Sequence, residues 1–401
     1  MLVHRALKIR IYPNKEQQSL VNKTLGCCRF IYNQMLHERI TAYDRLKDDK
    51  TKLYGHKYRT EKQYKEEFGF LKDADAVALQ QARINLENAY NNFYKSLKGL
   101  RKGEKTGFPK FKSKKNRESF RTFRIKIDFD KNTVKIPKCG EIGFRHDRIR
   151  DFYKKAALKN GTLTKTPSGK YFMSILFEHE VKPREHADCE GKVTGLDMSL
   201  QNFYVDSSGN SPDFQRNYRK NEKKLATKQK RLGTKTKGSN NYNKQRIKIA
   251  KIHERISNKR RDFNHKISFE LVKNNDVIVV ESLNLKGMSR CLNLGKSVLD
   301  LGYGDFISKL KYKAEENSKE IVFADRWFAS SKTCSVCGTK NRDLLLHERT
   351  WECKCCGNIL RRDMNAAINL RNLGLRSARP EPVKTSVEDN LAERLHLKRL
   401  S

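Results

Sequence analysis

The chain has 401 residues, and its 86 Lys and Arg stand against 46 Asp and Glu, which gives a formal net charge of +40. A chain of this length can bury more than one core, and so large a charge indicates a polyanionic partner. No run of residues reaches the roughly 18 apolar positions that a membrane-spanning helix needs, and the charged start, residues 1–10, lacks the apolar core of a secretory signal. We therefore expect a cytoplasmic protein that binds nucleic acid and has no role in a membrane.

The first hundred residues predict a strand followed by helices. Residues 8–14 alternate apolar and basic side chains as a strand does, and Pro13 with Asn14 then ends the strand and begins a helix. A second amphipathic helix is indicated by apolar side chains at every third or fourth position of residues 79–97. Residues 14–97 are therefore predicted to form a helical lobe.

A basic segment with interleaved aromatic residues follows. Twelve Lys or Arg and only two Glu lie between Lys98 and Lys126. Cations suit phosphates and aromatic rings suit bases, so the segment is predicted to contact nucleic acid, although these side chains could equally pack a fold. The candidate nucleic-acid-binding residues are Phe108, Lys110, Phe111, Lys112, Lys114 and Lys115.

The rest of the chain alternates between strand and helix patterns. Residues 133–136 and 171–177 predict strands of a small β-barrel or sheet, because Pro and Gly punctuate the sequence around them. From Gly195 onwards the pattern changes to strand, hairpin and long helix. Residues 216–237 hold ten Lys or Arg against one Glu, which is typical either of a solvated helix face or of phosphate contact. The residues after Arg371 lose this periodicity and predict a mobile tail.

Two cysteine pairs predict a zinc site. Cys334 and Cys337, and then Cys353 and Cys356, form C-x-x-C turns separated by fifteen residues. Four thiolates can surround one tetrahedral Zn²⁺ and leave no open position for substrate, so the role is structural. The two-residue spacing favours Cys356 over Cys355 as a ligand. The remaining cysteines are expected to be buried or free thiols: Cys27, Cys28, Cys139, Cys189, Cys291 and Cys355.

Three acids predict a second metal site. Asp197 and Glu281 end two strand-like apolar runs, residues 193–197 and 277–281, and Asp363 opens a helix-like segment. Each acid alone is more typical of a turn or a helix cap. Three carboxylates gathered in a basic protein instead predict a site for two Mg²⁺ ions, which prefer carboxylate oxygens and can activate water against a phosphodiester.

Six motifs together resemble the TnpB family, the transposon-encoded RNA-guided DNA endonucleases ancestral to type V CRISPR effectors. The resemblance runs nearly end to end. The motifs are Phe108–Lys115, Pro167–Phe172, Gly195–Ser199, Val280–Met288, Arg326–Cys334 and Arg362–Ala367.

The resemblance implies a multidomain α+β fold. An oligonucleotide-binding-type β-barrel, the wedge, and a RuvC-like nuclease domain of RNase H fold would be its main parts. The implied domains are the wedge at 1–13 and 105–190, an inserted helical recognition lobe at 14–104, the nuclease domain at 191–325 and 361–375, a target-nucleic-acid-binding zinc ribbon at 326–360 and a flexible C-terminal tail at 376–401.

The resemblance also implies a mechanism and partners. The family's catalytic acids match Asp197, Glu281 and Asp363, and a guide RNA from the transposon end would direct Mg²⁺-dependent cleavage of double-stranded DNA beside a short motif, with one protein copy per RNA. The family commonly has a further Asp where this chain has Arg361, which bears on rate rather than mechanism. Two alternatives are a strand-transferring DNA transposase and a non-cleaving RNA-guided repressor; retention of all three acids argues against the repressor.

Overall fold

The computed structural model describes residues 2–101, 105–114, 118–145, 151–180, 192–290, 294–345 and 347–377. Its contacts divide the chain into two compact units, residues 1–183 with 235–251 and residues 184–234 with 252–401. Each unit combines helices with a sheet, so the fold is mixed α/β. Within the described ranges, no helix is both long and apolar enough to cross a membrane.

The first unit contains a seven-stranded antiparallel sheet in the order β2-β6-β7-β1-β5-β4-β3. Strand β1 pairs with β7 along its whole length, from Leu2 opposite Glu180 to Ile11 opposite Tyr171. The N-terminal strand therefore begins earlier than the predicted Lys8 but ends before Pro13, as predicted, and the strands predicted at 133–136 and 171–177 are confirmed. The strands are β1 Leu2–Ile11, β2 Glu118–Thr122, β3 Lys126–Asp128, β4 Thr133–Ile136, β5 Gly140–Arg145, β6 Ala157–Lys165 and β7 Tyr171–Glu180.

Two long helices accompany this sheet. The predicted start at Asn14 is confirmed: its side chain accepts a hydrogen bond from the Gln17 amide at 2.8 Å, and Gln17 Oε1 accepts one from the Asn14 amide at 3.0 Å. This reciprocal capping satisfies amides that the first turn leaves without helical partners. The helices of the first unit are α1 Lys15–Leu46, α2 Lys50–Gly55, α3 Glu61–Glu67, α4 Ala76–Leu97 and α5 Phe152–Lys155, with a 3-10 turn at Gly69–Asp73.

The second unit contains a four-stranded sheet in the order β11-β10-β8-β9. Strands β8, β10 and β11 are parallel, and β9 runs antiparallel to β8. Four of the five residues of β10 are buried, as expected for a central parallel strand covered on both faces. The strands are β8 Val193–Ser199, β9 Phe203–Asp206, β10 Val277–Glu281 and β11 Glu320–Ala324.

Helices precede and follow these strands. The basic run at 216–237 lies largely in α6 Asn217–Gly233, and most of its Lys and Arg side chains are exposed, which leaves the solvated-face and phosphate-contact interpretations both open. The first residues of α7, as far as Lys251, belong to the first unit. The other helices are α7 Asn240–Asn274, α8 Leu285–Arg290, α9 Gly295–Leu301 and α10 Tyr303–Glu316.

The chain then forms a short antiparallel hairpin, β12 Thr350–Glu352 with β13 Ile359–Arg361, and a helix, α11 Arg362–Ser377. Two glycines let α11 lie directly on the sheet. A Cβ atom on Gly195 would lie 2.1 Å from the carbonyl oxygen of Ala367, and one on Gly374 would lie 2.5 Å from Val279 Cγ2. The expected tail at 376–401 begins inside this helix, and residues 378–401 lie outside those the structure describes.

Candidate metal centres

The four predicted zinc ligands lie together. The Sγ atoms of Cys334, Cys337, Cys353 and Cys356 all lie within 4.8 Å of one another. The Sγ atoms are 3.7 Å apart in the pair Cys334–Cys356 and 3.5 Å apart in the pair Cys337–Cys353. Cys355 is exposed and is not part of this group. Four thiolates at these separations form a cluster that could hold a zinc ion.

Two matching turns bring the thiols together. In each turn a glycine at positive φ follows the second cysteine of the pair, with φ of 79° at Gly338 and 68° at Gly357. The Gly338 amide donates to the Cys334 carbonyl at 2.9 Å, and the Gly357 amide donates to the Cys353 carbonyl at 2.8 Å. Glycine adopts this left-handed conformation without a steric cost. The two turns therefore aim their cysteine side chains at one point.

Polar neighbours favour the thiolate form of two cysteines. Hydrogen bonding from the side chain and backbone of Thr339 lowers the pKa of Cys337 to about 6. Hydrogen bonding from the side chain and backbone of Asn358 likewise lowers the pKa of Cys356. Because only thiolates bind zinc firmly, these contacts prepare the cluster for a metal. A small apolar core of Leu344, Trp351 and Leu360 packs beside it.

The three predicted acids come from three elements that meet at one edge of the second sheet. Leu196 of β8 pairs with Val280 of β10 in parallel register, so the next residues, Asp197 and Glu281, follow side by side. Helix α11 packs on β8 at Gly195 and carries Asp363 in its first turn. The fold therefore brings together residues that lie more than eighty positions apart in the sequence.

The acids influence one another electrostatically. Burial raises the pKa of Asp197 to about 8, and the charges of Glu281 and Asp363 contribute to the increase. Burial also raises the pKa of Glu281. Burial and neighbouring acids both raise the pKa of a carboxyl group, and a cation bound among the acids would reverse the effect. The donor set therefore suits a hard divalent cation.

The acids are nevertheless spaced more widely than the thiols. Within the described part of the chain, the four cysteines are the one group of three or more potential ligands whose atoms all lie within 4.8 Å of one another. Two arginines stand near the acids: Arg362 and Arg349 both lower the pKa of Asp197, and Arg349 Nη1 lies 3.5 Å from Asp363 Oδ1. Arg361, the departure from the family motif, is exposed on β13.

Sequence reasoning missed the residues that hold the acid site in place. The Ser330 hydroxyl donates to Glu281 Oε1 at 2.8 Å. Two buried asparagines of α11 fix the segment that carries this serine. Asn369 Nδ2 donates to the carbonyls of Ser330 and Thr333 at 2.8 and 2.6 Å. Asn365 Nδ2 donates to the Thr333 carbonyl at 2.7 Å.

This segment links the cysteine cluster to the acids. Thr333 immediately precedes Cys334 of the cluster, and the Ser335 amide donates to Asn365 Oδ1 at 2.8 Å. The segment therefore contacts Glu281 through Ser330 at its start and supplies Cys334 to the cysteine cluster at its end. The spacing of Asn365 and Asn369, one helical turn apart beside an apolar face, was the available sequence signal.

The structure gives the predicted nucleic-acid-binding segment packing contacts. The ring of Phe108 lies 5.5 Å, centroid to centroid, from the rings of both Tyr90 and Phe93. The backbone of Lys112 exchanges two hydrogen bonds with the Asn33 side chain, at 2.7 and 3.0 Å. Three of the remaining candidates, Lys110, Phe111 and Lys114, are exposed, and Lys115 lies outside the described residues. Nucleic-acid contact by this segment stays a prediction.

Three family models match successive parts of the chain. A helix-turn-helix domain model matches residues 1–48, a model described as "Probable transposase" matches residues 174–292, and a Cas12f1-like TNB domain model matches residues 303–370. Over residues 2–46 the structure has one strand and one long helix. The third match covers the cysteine cluster and Asp363.

Curated relatives match almost the whole chain. The "Putative RNA-guided DNA endonuclease" of Streptomyces pristinaespiralis is 32% identical over 375 residues, which cover 93% of this chain and 90% of that one. The protein of the same description, InsQ, from Escherichia coli K12 is 29% identical over 392 residues and covers 92% of each chain. The protein therefore belongs to the TnpB family. A solved structure described as a Cas12f1-sgRNA-target DNA complex shares the fold, with a TM-score of 0.51 and 13% identity over 94% of this chain and 99% of that one.

Proposed function

We propose that this protein is an RNA-guided DNA endonuclease, as its curated relatives are named, and that Asp197, Glu281 and Asp363 carry the cleavage. The convergence of these three acids at one sheet edge is the observation that supports the proposal. Their mutual repulsion and partial burial make a site that gains from a divalent cation. The net charge of +40 matches a protein that holds RNA and both strands of DNA.

The acids would hold Mg²⁺, in a two-ion arrangement. When bound, Mg²⁺ makes a water ligand more acidic and stabilises charge on the phosphate. Asp197, two residues before the end of β8, and Glu281, at the end of β10, would bind the ion from the sheet, and Asp363 would complete the site from the helix. Spacing wider than that of the cysteines suits this ion, because Mg²⁺ keeps several waters and takes part of its ligand set from phosphate. The cysteine cluster holds structural Zn²⁺.

The guide RNA, derived from the transposon end, pairs with one strand of double-stranded target DNA beside a short motif that the protein reads. Domains follow the family: a wedge barrel at 1–13 and 105–190, a recognition lobe at 14–104, a RuvC-like domain at 191–325 and 361–375, and a zinc ribbon at 326–360. The pairing of β1 with β5 and β7 supports the divided wedge, and three parallel strands with an antiparallel neighbour support the RNase H fold. One protein copy acts per RNA.

The first test asks what RNA the protein carries and whether the complex cuts. The gene is expressed with its native 3′ flank, and the bound RNA is sequenced after purification in high salt. One discrete species that ends beyond the transposon end is expected, and it supplies the guide for a cleavage assay. Heterogeneous cellular RNA, or none, would contradict a guided function.

The second test asks whether the three acids carry the cleavage reaction. Asp197→Ala is expected to abolish cleavage and to leave guided DNA binding intact. The matched control is Glu320→Gln, which alters an acid at the opposite end of the same sheet: Glu320 pairs with Val277, the first residue of β10, whereas Glu281 is the last. The control should cut at the wild-type rate. Cleavage by Asp197→Ala at that rate would refute the site.

A second candidate function has one observation in its favour, the "Probable transposase" description of the matched model. An acidic triad could also catalyse strand transfer, which joins DNA ends instead of releasing them. Gel analysis of the same reaction separates the two functions. Joined products would favour a transposase, linear products the endonuclease, and guided binding without any cut the repressor.

A further inference from the structure

The short loop between β11 and Ser330 lies at the edge of the sheet that carries the acids. Ala324, the last residue of β11, pairs in parallel register with Glu281. Six residues later, the Ser330 hydroxyl donates to the same glutamate at 2.8 Å. Both ends of the loop are therefore fixed at Glu281, and its tip, Arg326 and Trp327, stands beside the acid site.

The tip of this loop exposes a tryptophan in a defined conformation. Trp327 is 83% exposed, whereas the second tryptophan of the chain, Trp351, is 7% exposed. The turn is held by Asp325, whose Oδ1 accepts from the Trp327 amide at 2.8 Å and whose carbonyl accepts from the Phe328 amide at 3.1 Å. The turn fixes the backbone at Trp327, and the exposed indole with the partly exposed ring of Phe328 leaves adjoining apolar surface in water, which is typical of a binding site.

The neighbouring charge indicates the chemistry of the ligand. The guanidinium carbon of Arg326 lies 5.4 Å from the centroid of the Trp327 ring. An aromatic face with an adjacent cation suits a nucleotide, because the ring can stack on any base while the cation stays close to the phosphate. A duplex keeps its bases stacked inside, so the matching ligand is single-stranded.

We propose that Trp327 is a base-stacking platform that holds a single DNA strand at the acid site. The proposal rests on the proposed nuclease function and assigns a residue to strand positioning within it. Stacking of one base on the indole fixes the phosphates next to it, which brings a scissile phosphate to Asp197 and Glu281. Guide pairing supplies most of the affinity for the target, so the platform affects the cleavage step more than target binding.

The cleavage arm compares variants of the full chain bound to guide RNA on double-stranded target. Trp327→Ala should lower the single-turnover cleavage rate roughly 5- to 140-fold, the range expected for loss of one stacked base, with target binding unchanged. Trp327→Phe, which keeps an aromatic face, should recover most of the rate. The matched control is Phe269→Ala, which removes a 58% exposed aromatic ring near the end of α7, just before the start of β10, and should cut like the wild type.

The fluorescence arm reads stacking directly, because the chain has two tryptophans. Single-stranded DNA that pairs with the guide and extends several unpaired nucleotides beyond it is added to the RNA complex in buffer without Mg²⁺, which prevents cleavage and leaves the zinc in place. Emission from the wild type should be quenched, while emission from Trp327→Phe, which reports Trp351 alone, should not change. An unchanged wild-type spectrum would overturn the platform, as would a wild-type cleavage rate in Trp327→Ala.

The cleavage and fluorescence experiments together distinguish a failure of the base-stacking platform from a failure of the proposed endonuclease function. If the wild-type complex does not cut but its Trp327 emission is quenched, the stacking proposal is supported and the endonuclease function is refuted. A wild-type complex that cuts without quenching retains the endonuclease and refutes the platform. Zinc content and circular dichroism of Trp327→Ala show whether that variant is folded, and Trp327→Phe carries the test if it is not.

Discussion

The two candidate metal centres are assembled in different ways. The cysteine cluster comes from residues 334–356, and two tight turns place its four Sγ atoms within 4.8 Å of one another. The acid site takes one residue from each of β8, β10 and α11 and remains more open. Local spacing is enough to specify the first centre. The second depends on strand register and on two glycines that admit a helix.

The electrostatics of the two centres differ as well. Hydrogen-bond donors lower the pKa values of Cys337 and Cys356 and so favour the charged ligands. Burial and neighbouring acids raise the pKa of Asp197 to about 8, which opposes the charged ligand until a cation arrives. Two of the four thiols therefore become thiolates more readily than a free cysteine, whereas burial raises the pKa of Cys334 to about 11, as it raises that of Asp197.

The largest effect is expected from breaking the cysteine cluster. Cys353→Ser removes a buried ligand and should abolish zinc binding, which is worth about 10–16 kcal/mol in isolated zinc-finger peptides. Cleavage should be lost with it, because Thr333 and Ser335 tie the cluster to Asn365 in the helix of the acid site. Metal analysis of the purified protein and the cleavage assay measure the two outcomes.

The neighbouring Cys355→Ser is the control for this experiment. Cys355 is exposed and lies outside the cluster, so roughly one zinc per chain and normal cleavage should remain. Loss of zinc in this variant, or its retention in Cys353→Ser, would show that the structure has the wrong fourth ligand. Full activity of zinc-free protein would mean that the two centres are independent.

A smaller effect is expected from cutting the link between the centres. Asn369→Leu removes a buried amide that donates to two carbonyls and should lower the free energy of unfolding by about 1–3 kcal/mol. Cleavage should fall as well, because the Ser330 segment loses its anchor. Chemical denaturation and single-turnover cleavage measure these effects.

Asn317→Leu serves as the control for the asparagine. Asn317 Nδ2 donates to the Lys313 carbonyl at 2.7 Å at the end of α10, within one local turn. This change should destabilise the protein less and leave the cleavage rate unaltered. Equal losses of cleavage in the two variants would show that α11 has no special part in supporting the acid site.

The next smaller effect is expected from removing the hydrogen bond that Ser330 donates to Glu281. Ser330→Ala removes a donor worth about 0.5–1.5 kcal/mol, so the Mg²⁺ concentration for half-maximal cleavage should rise roughly 2- to 12-fold. Ser330→Thr keeps a hydroxyl and should recover most of the shift. A Mg²⁺ titration identical to that of the wild type would remove Ser330 from the site.

The sequence predicted those features whose cause is local. The cysteine spacing, the cap at Asn14 and the strand at 171–177 each follow from a few neighbouring residues, and each is found in the structure. Asp197 and Glu281 could be named because apolar runs precede them, although β8 continues past Asp197 to Ser199, whereas β10 ends at Glu281. Their approach to one another depends on parallel register, which no local pattern contains.

Features set by distant contacts could not be predicted. The first strand was predicted too late in the chain because pairing with β7, more than 150 residues away, decides where β1 begins. Ser330 lies in the family motif Arg326–Cys334, and the spacing of Asn365 and Asn369 puts these two residues on one helix face, but neither feature shows which distant atoms the side chains contact. Trp327 lies in a loop just after β11, and only the structure shows that its ring is exposed.

The smallest effect is expected from a change at Asp276. It tests whether the position of Asp197 along its strand explains why the pKa of Asp197 is raised. Asp276, directly before β10 at the opposite end, forms an ion pair with Lys319, and hydrogen bonding from that lysine lowers the pKa of Asp276. A lowered carboxyl pKa adds stability above the unfolded-state value of about 3.9, and this stability is lost as the pH falls through the folded-state value.

Asp276→Asn should therefore cost at most about 1 kcal/mol near pH 7, and the difference from the wild type should disappear in acid below the folded-state pKa of Asp276. Cleavage should be unaffected, because this residue is at the far end of the strand from Glu281. Unfolding measured from pH 3 to pH 7 checks the sign. A difference that grows as the pH falls would mean that Asp276 resembles Asp197, and that position along the strand does not separate a stabilising carboxylate from a metal-binding one.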